Sequence, residues 1–397
     1  MASRPKIGCL VREYPVQIIS NKISYILCSG LLIGQIFNAE WAAGESIRVA
    51  VQENLSSVRI TSKAALLIKD AQGRLLYPTE TTSVLIRVAD SGFRINHRFV
   101  KSSVLKIVSP QGYLEAENQS FRGLLEVRKK GKNFIVVNEL DLEEYLKGVV
   151  PGEMSNDWHP VALKVQAIVA RTYALYQKLH NPGREFDLVS NVHDQVYQGA
   201  GTERLEASQA VSQTDGLVVT YGDQLALTLY HSTSAGKTQD IREVWSQDFP
   251  YLHGVECPFD EDSPYYRWER KIPFLELEDS LKRSGLLVGN LATFTPYLWN
   301  STGRIKGIRI LYSRGELFLN GEEIRRIVGY QALPSTQFDV IAIGRDIVLQ
   351  GKGYGHGVGL CQWGTKVQAE QGKSFTEILE YYYPGVQVRD YRTLPLR

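Results

Sequence analysis

Between Pro160 and Asn181 the chain carries a stripe of Val161, Val165, Ile168, Thr172, Leu175 and Leu179, stepping by fours and threes. That period puts six side chains on one face of a long α-helix. Pro160 suits its first turn, and Asn181-Pro182-Gly183 ends it. A helix with such a stripe must lie against a core, which commits this region to a layered globular domain. Immediately upstream, residues 141–147 read as one or two helical turns, followed by Val149-Val150-Pro151-Gly152-Glu153-Met154. A single acid, Glu153, is therefore expected on a glycine-bearing turn between an apolar run and the long helix. Apolar surroundings desolvate a carboxylate and raise its pKa toward the range where it both gives and takes a proton. Glu153 is the candidate catalytic group; the ordinary alternative for such a residue is a solvated surface acid.

The flanking sequence has a different period. From Ile47 to about Val137 short alternating segments recur, such as Ile47–Val51, Ser83–Val88 and Phe134–Val137, with turns at Gln72-Gly73 and Lys130-Gly131. They predict a β-rich module over residues 44–137 with no cluster of catalytic residue types, assigned to support or binding. Residues 203–213 read as a shorter helix, and Leu217–Tyr221 with Leu225–Tyr230 as a hairpin around Gly222-Asp223. The β period returns over about 292–349, most clearly at Arg304–Ile310. A final helix follows Gly372, with Ser374 and Glu377 spaced as a capping box. The expected fold class is α+β: a mixed helix and antiparallel-sheet catalytic domain over 138–395 with a β insertion, behind the β-rich N-terminal module.

Residues 1–43 combine Arg4, Lys6, Arg12 and Lys22 with an apolar run from Ile23 to Phe37 and small residues at Ala39, Ala42 and Ala43. Basic, then apolar, then small is the order of an export signal, cleaved or retained as an anchor. The run is short for a transmembrane helix. Tyr25 and Leu27 fit a lipoprotein signal at Cys28 poorly. The segment holds four basic and two acidic residues (Glu13 and Glu40), so without it the net charge of +2 falls to zero. A neutral chain offers no electrostatic case for nucleic acid. Beyond the leader only Cys257 and Cys361 remain, enough for one disulfide or two separate thiols but not a disulfide framework.

Three constellations carry chemistry. The first is Glu153 with Arg171, which follows Ile168 by three and sits at the edge of the helical stripe. The second is His231-Ser232-Thr233-Ser234-Ala235-Gly236-Lys237, directly after a predicted strand. The third is Gly351-Lys352-Gly353-Tyr354-Gly355-His356-Gly357-Val358-Gly359, leading to Leu360-Cys361-Gln362-Trp363. Five alternating glycines let backbone pass close to a ligand or another strand. They match neither the dinucleotide fingerprint nor the phosphate loop. The His-Ser block lacks the nucleophile-elbow pattern. Cys361, inside an apolar segment, reads as inert packing rather than as a nucleophile. No His or Cys pair has the short spacing of a structural zinc site, so neither a metal nor another cofactor is expected.

Taken together, these blocks resemble one family. Glu144–Val150 leads through Glu153-Met154 to Ala162-Leu163-Lys164, Gln166-Ala167 and Ala170-Arg171-Thr172-Tyr173-Ala174. His231–Thr238, Ser263-Pro264-Tyr265-Tyr266, Gly353–Gly359 and Gln362-Trp363-Gly364 follow in order. The resemblance, from about Leu140 to Tyr383, is to the stage II sporulation protein D family, which includes the LytB amidase enhancers. It implies an exported protein acting on peptidoglycan glycan strands, a lytic transglycosylase whose essential glutamate corresponds to Glu153. It also implies substrate-binding or orienting roles for Arg171, His231, Ser232, Ser234, Tyr354, His356 and Gln362. Cys361 stands where relatives often carry Ser. The zinc-binding cysteines of some relatives, downstream of the glutamate, have no counterpart here.

One carboxylate suffices for that chemistry. Hydrolysis at a glycosidic bond uses two carboxylates. In lytic cleavage the 6-hydroxyl of the muramic acid attacks its own anomeric carbon, so Glu153 protonates the leaving oxygen and then accepts the hydroxyl proton. An intramolecular nucleophile supplies about 7–11 kcal/mol in favourable systems. Direct contact with Arg171 would lower the glutamate's pKa, so the arginine is expected to orient it from a distance or to bind the substrate's lactyl carboxylate. Tyr265, Tyr266, Trp268 and Trp363 are candidates to stack on sugars or to fill the core. The rival reading is a non-catalytic glycan-binding enhancer of an N-acetylmuramoyl-L-alanine amidase. A purely structural envelope protein is the third.

Overall fold

The computed structural model describes residues 44–78 and 80–395. The expected export signal lies outside them. Among the described residues no helix is long and apolar enough to cross a membrane. Glu45–Arg397 forms one compact unit, and its mixture of helices and largely antiparallel sheets is an α+β fold.

The alternating N-terminal segments build two sheets. One has seven strands in the spatial order Leu188–Val189, Ser46–Leu55, Asn133–Asp141, Leu124–Lys130, Val104–Val108, Leu67–Lys69 and Leu75–Pro78. The other has six strands and centres on the pairing of Ser57–Ser62 with Ser83–Ala89. Their inward residues, among them Ile47, Val49, Ile60, Ile86, Leu125 and Val136, are fully buried. Seven helices are described: α1 (Leu142–Glu153), α2 (Pro160–His180), α3 (Leu205–Gln213), α4 (Phe274–Arg283), α5 (Gly321–Val328), α6 (Gln362–Glu370) and α7 (Phe375–Tyr382).

The β-rich module is not a separate body. A boundary at residue 137 falls inside the strand Asn133–Asp141, and Leu188–Val189 pairs in parallel with Ser46–Leu55 from the far side of α2. Sheets and helices share one hydrophobic core. That sharing also changes the character of α2. It packs against α1, α3, α6 and α7, so it is buried on nearly every side from Ala162 to Leu175. The stripe Val161 to Leu179 marks its inner face without revealing that the outer face is covered too.

A second core belongs to the insertion, which is wider than 292–349 and not purely β. Trp268, Ile272, Leu277, Leu281, Ile308, Ile324 and Leu349 all belong to it, so it opens at the strand Trp268–Pro273 and takes in α4 and α5. The strand Trp268–Pro273 pairs with Asp346–Lys352, closing the insertion at its neck. The hairpin at Gly222-Asp223 is shorter than its pattern suggested: its return strand is only Gln224–Leu225, and the other edge of Leu217–Tyr221 pairs with Gln387–Asp390. The capping box at Ser374 and Glu377 opens α7.

Candidate active site

Glu153 stands not on a turn but at the end of a helix. The strand Asn133–Asp141 runs directly into α1 because the Asp141 carboxylate caps it, accepting from the Glu143 and Glu144 amides. Pro151 lies in the last turn of α1, and Met154 is the C-cap. On this helix Gly148 and Gly152 stand one turn apart, and the segment 196–199 lies across them. A methyl at Gly152 would sit 2.8 Å from the Val196 carbonyl oxygen, and one at Gly148 would sit 2.7 Å from the Tyr197 ring. Hydrogen alone permits that approach.

The segment is fastened on both sides. The Tyr197 hydroxyl donates to Asn138 at 2.9 Å. The Tyr145 hydroxyl donates to Gln195 Oε1 at 3.0 Å, and Gln195 Nε2 donates to the Ala170 carbonyl at 3.3 Å. Held this way, the Val196 amide donates to Glu153 Oε1 at 2.8 Å.

Glu153 is half-buried. Burial raises its carboxyl pKa; the Val196 amide and the neighbouring Tyr230 and Gln362 side chains offset part of that rise. The Tyr230 hydroxyl faces both Glu153 and Gln195, yet its oxygen is buried and completes no hydrogen bond among the described residues. Behind Gln362 lies the fully buried Gln166, whose Oε1 accepts from Gln362 Nε2 at 3.4 Å. Its own Nε2 has no partner among the described residues. One carboxylate is thus faced by neutral donors, the Val196 amide, Tyr230 and Gln362, drawn from three chain segments.

Tyr230 and Gln362 meet because Tyr230–His231 pairs in parallel with Leu360–Cys361. The Leu360 amide donates to the Leu229 carbonyl at 3.0 Å, and the Trp363 amide to the Ser232 carbonyl at 3.1 Å. Here the alternating glycines find their reason. A methyl at Gly359, whose φ is +73°, would lie 2.1 Å from the Leu229 oxygen; the tract passes against a strand, not a ligand.

Successive strand residues face opposite ways, so Tyr230 points to Glu153 while His231 points away. His231 lies between the Ser234 hydroxyl, 2.8 Å from Nε2, and the Val358 carbonyl, 3.2 Å from Nδ1. Burial above all, with help from His356 and Arg304, pushes its pKa well down. A neutral ring with Nδ1 against a carbonyl carries its proton there, so Nε2 accepts from Ser234. His356 has its ring centroid 5.7 Å from that of His231 and 5.3 Å from that of Trp245. Burial, then the Arg325 and Arg304 cations, lowers its pKa to about 3. Among the described residues no hydrogen bond joins either histidine to Glu153; His356 reaches the site through the main chain of Tyr230.

Arg171 lies inside the core rather than at the helix edge. It is completely buried, and its guanidinium grips Glu143 with two hydrogen bonds of 2.6 Å. It also donates to the carbonyls of Leu217 at 3.0 Å and Val211 at 3.3 Å. Its donors are spent on the scaffold, where it binds α2 to α1 and to the strand Leu217–Tyr221. Trp268 is likewise a core residue, its Nε1 donating to the Gly353 carbonyl at 2.9 Å. Tyr354 pairs through its backbone with Thr233 and stacks its ring on Tyr265 at 4.5 Å. Ser232 is half-exposed, and its hydroxyl lies 3.3 Å from that of Thr233. Trp363 remains a stacking candidate. It is half-exposed beside Gln362 and packs edge-on against Trp158, with centroids 5.2 Å apart.

Tyr230, Gln195, Gln166, Trp158 and the Val196 amide were not singled out from the sequence. The one local signal was the Gly148-to-Gly152 spacing, which marks a close backbone approach. A concavity of about 590 Å³ on the insertion, lined by Arg267, Glu269, Phe338 and Lys352 among others, includes none of the residues around Glu153.

Fold and site together define a class: α+β proteins in which a lone, partly desolvated glutamate ends a helix under a clamp of neutral donors. The stage II sporulation protein family model matches residues 130–221, which include all of α1 and α2. A model described as a domain of unknown function (DUF8618) matches residues 226–359. The chain is 32% identical over 272 residues to stage II sporulation protein D of Bacillus subtilis, covering 64% of this chain and 76% of that protein. It is 29% identical over 358 residues to an uncharacterized protein of Brachyspira hyodysenteriae, covering 87% and 96% of the two. Similarity to the amidase enhancer of Bacillus subtilis is 28% over 294 residues, 62% of this chain and 40% of that protein. The chain belongs to the stage II sporulation protein D family.

Proposed function

We propose that this protein is a lytic transglycosylase, exported through its N-terminal segment, that cleaves the MurNAc–GlcNAc bond of peptidoglycan glycan strands and leaves 1,6-anhydroMurNAc ends. Peptide-free strands are the proposed substrate. The observation that carries this reading is the environment of Glu153. Its pKa is raised by burial, so a proton is available for the glycosidic oxygen. Oε1 is committed to the Val196 amide, which fixes the carboxyl plane and leaves Oε2 as the atom that donates. After cleavage begins, the carboxylate accepts the 6-hydroxyl proton, stabilised by the Val196 amide and the Tyr230 and Gln362 side chains.

A second acid of the kind that hydrolysis requires has an evident candidate in Asp194, which with Glu153 acts on Tyr145 and Tyr173. Both its oxygens are occupied, however, by the Tyr173 hydroxyl at 2.7 Å and the Val189 amide at 2.8 Å. This favours the one-carboxylate route. Trp158 and Trp363 offer rings on which sugars can stack.

The test is digestion of purified peptide-free glycan strands with mass spectrometry of the products. Anhydro ends that vanish in Glu153→Gln support the reading, and anhydro ends that persist in that variant exclude it. Similarity to a protein named amidase enhancer favours a second reading, in which the chain binds glycan and stimulates an amidase without cutting. That reading requires amidase stimulation that survives Glu153→Gln.

A further inference from the structure

Behind the active-site strand pair, three buried side chains from two distant segments converge: Cys257, Asp260 and Cys361 offer donor atoms all within 4.8 Å of one another. Each is fully enclosed. We propose that they form a structural site for a thiophilic divalent cation, zinc by the chemistry of the donors. The inference is independent of the function proposed above.

Asp260 supplies the observation that points to a ligand. Its Oδ2 accepts from the Ser234 amide at 2.6 Å, the Ala235 amide at 2.8 Å and Cys361 Sγ at 3.3 Å. Its Oδ1 is buried and has no hydrogen-bond partner among the described residues. An unpaired buried carboxylate oxygen is costly, and this one is on the residue that the Cys257 and Cys361 sulfurs lie beside. Two amides hold Oδ2 and so orient the carboxylate, the arrangement that outer hydrogen bonds give a metal ligand.

Two sulfurs and one oxygen suit zinc, which binds Cys at about 2.3 Å and carboxylate at about 2.0–2.2 Å in a tetrahedron. Donors in such a tetrahedron lie about 3–4 Å apart, so the observed spacing needs only a small contraction. Oxygens for a fourth position are close by. The Ser234 hydroxyl lies beside both thiols, and the Tyr382 hydroxyl is 3.3 Å from Cys257 Sγ. Charge balance also permits it. A divalent cation that replaces two thiol protons leaves the net charge of the buried cluster unchanged, with the buried Arg304 still present opposite Asp260 and Cys361.

The ion would act as a rivet. Cys361 is the N-cap of α6, directly before Gln362, and Asp260 fixes the loop that carries Ser234 and the left-handed Ala235 (φ 60°). Binding ties residues 257–260 to the start of α6 and so holds Gln362 in place. The binding step is balanced: one zinc ion enters, both thiols become thiolates, and two protons leave.

The experiment uses the full chain, purified under reducing conditions and stripped with a chelator. Titration with Co²⁺ is expected to give the thiolate-to-cobalt charge-transfer absorption, saturating at one ion per chain with release of two protons. Zn²⁺ is expected to abolish the band and to raise the thermal midpoint. Cys257→Ser and Cys361→Ser each lose the band, and Asp260→Asn weakens retention of the ion. If substitution prevents folding, the cobalt spectrum of the unsubstituted chain decides alone. No thiolate band in the reduced chain overturns the proposal. So does finding the two cysteines joined to each other as a disulfide in the protein as isolated.

Discussion

The Val196 amide donates to Glu153 Oε1 at 2.8 Å across a helix surface stripped of side chains at Gly148 and Gly152. The position of the carboxyl group thus depends on two hydrogens in place of two methyls. Gly152→Ala is expected to push the 196–199 segment outward, costing about 1–3 kcal/mol of stability as overpacking does. Activity should fall further than the folded fraction does, because the clamp on Oε1 is lost. Thermal unfolding and anhydro-product yield on the same preparation check this, and equal losses in both would contradict it.

Glu153→Gln should separate stability from activity. Burial raises the folded-state pKa of Glu153, so the native chain holds the proton more tightly than the unfolded chain does. Stability from this group is fully present at low pH and is lost as pH rises through the unfolded and then the folded pKa. The Gln variant is therefore expected to match the parent in acid and to be the more stable of the two at neutral pH. Its cleavage rate should drop about 10²–10⁴-fold, the usual contribution of one proton-transfer group. Denaturation curves at acid and neutral pH provide the check.

The pH profile of the parent carries its own expectation. A single acid that must start protonated gives a rate that falls as pH rises past the raised Glu153 pKa. His231 and His356 are both held neutral, the latter with a pKa of about 3, so neither should contribute a limb near pH 6–7, where an ordinary histidine titrates. A histidine-like limb that disappears in His356→Gln would overturn this assignment.

Tyr230→Phe removes a buried hydroxyl that completes no hydrogen bond among the described residues. Stability should hold or rise by up to about 1 kcal/mol, since a desolvated, unpaired group is removed. If the hydroxyl steadies the carboxylate during cleavage, the rate should fall about tenfold or more, equivalent to about 1.4 kcal/mol of barrier. An unchanged rate would assign Tyr230 to packing alone.

Arg171 behaves in the opposite sense. Its removal strands Glu143 and two backbone carbonyls, so Arg171→Ala should cost about 3–5 kcal/mol, as when one partner of a buried pair is deleted. Glu143 is partly exposed, which places the loss toward the lower end. Whatever remains folded should cleave at the parent's rate, since the arginine touches no part of the Glu153 cluster. A specific activity that falls per folded molecule would restore the orienting role expected from its sequence position.

What the sequence revealed was what local chemistry controls. Pro160 and Asn181 bound α2, and Ser374 with Glu377 opens α7, because caps and breakers act within a few residues. The alternating segments near residues 47, 83 and 134 became strands for the same reason. Long-range pairing was hidden. Arg171 reads as a reachable edge residue until α3 and the strand Leu217–Tyr221 cover it. Tyr230 reads as the end of a hairpin until Leu360–Cys361 lies beside it in parallel. The insertion looked purely β because α4 and α5 are short, and their apolar faces are buried only once the strands around them have formed.

The parallel pairing of Tyr230–His231 with Leu360–Cys361 also sets a schedule. A ribosome delivers Glu153 well before Gln362. Until the stretch Leu360–Cys361 has returned to strand 230–231, the glutamate lacks one wall of its setting. A nascent copy that stops short of Gln362 would carry the acid without the neighbours that set its protonation.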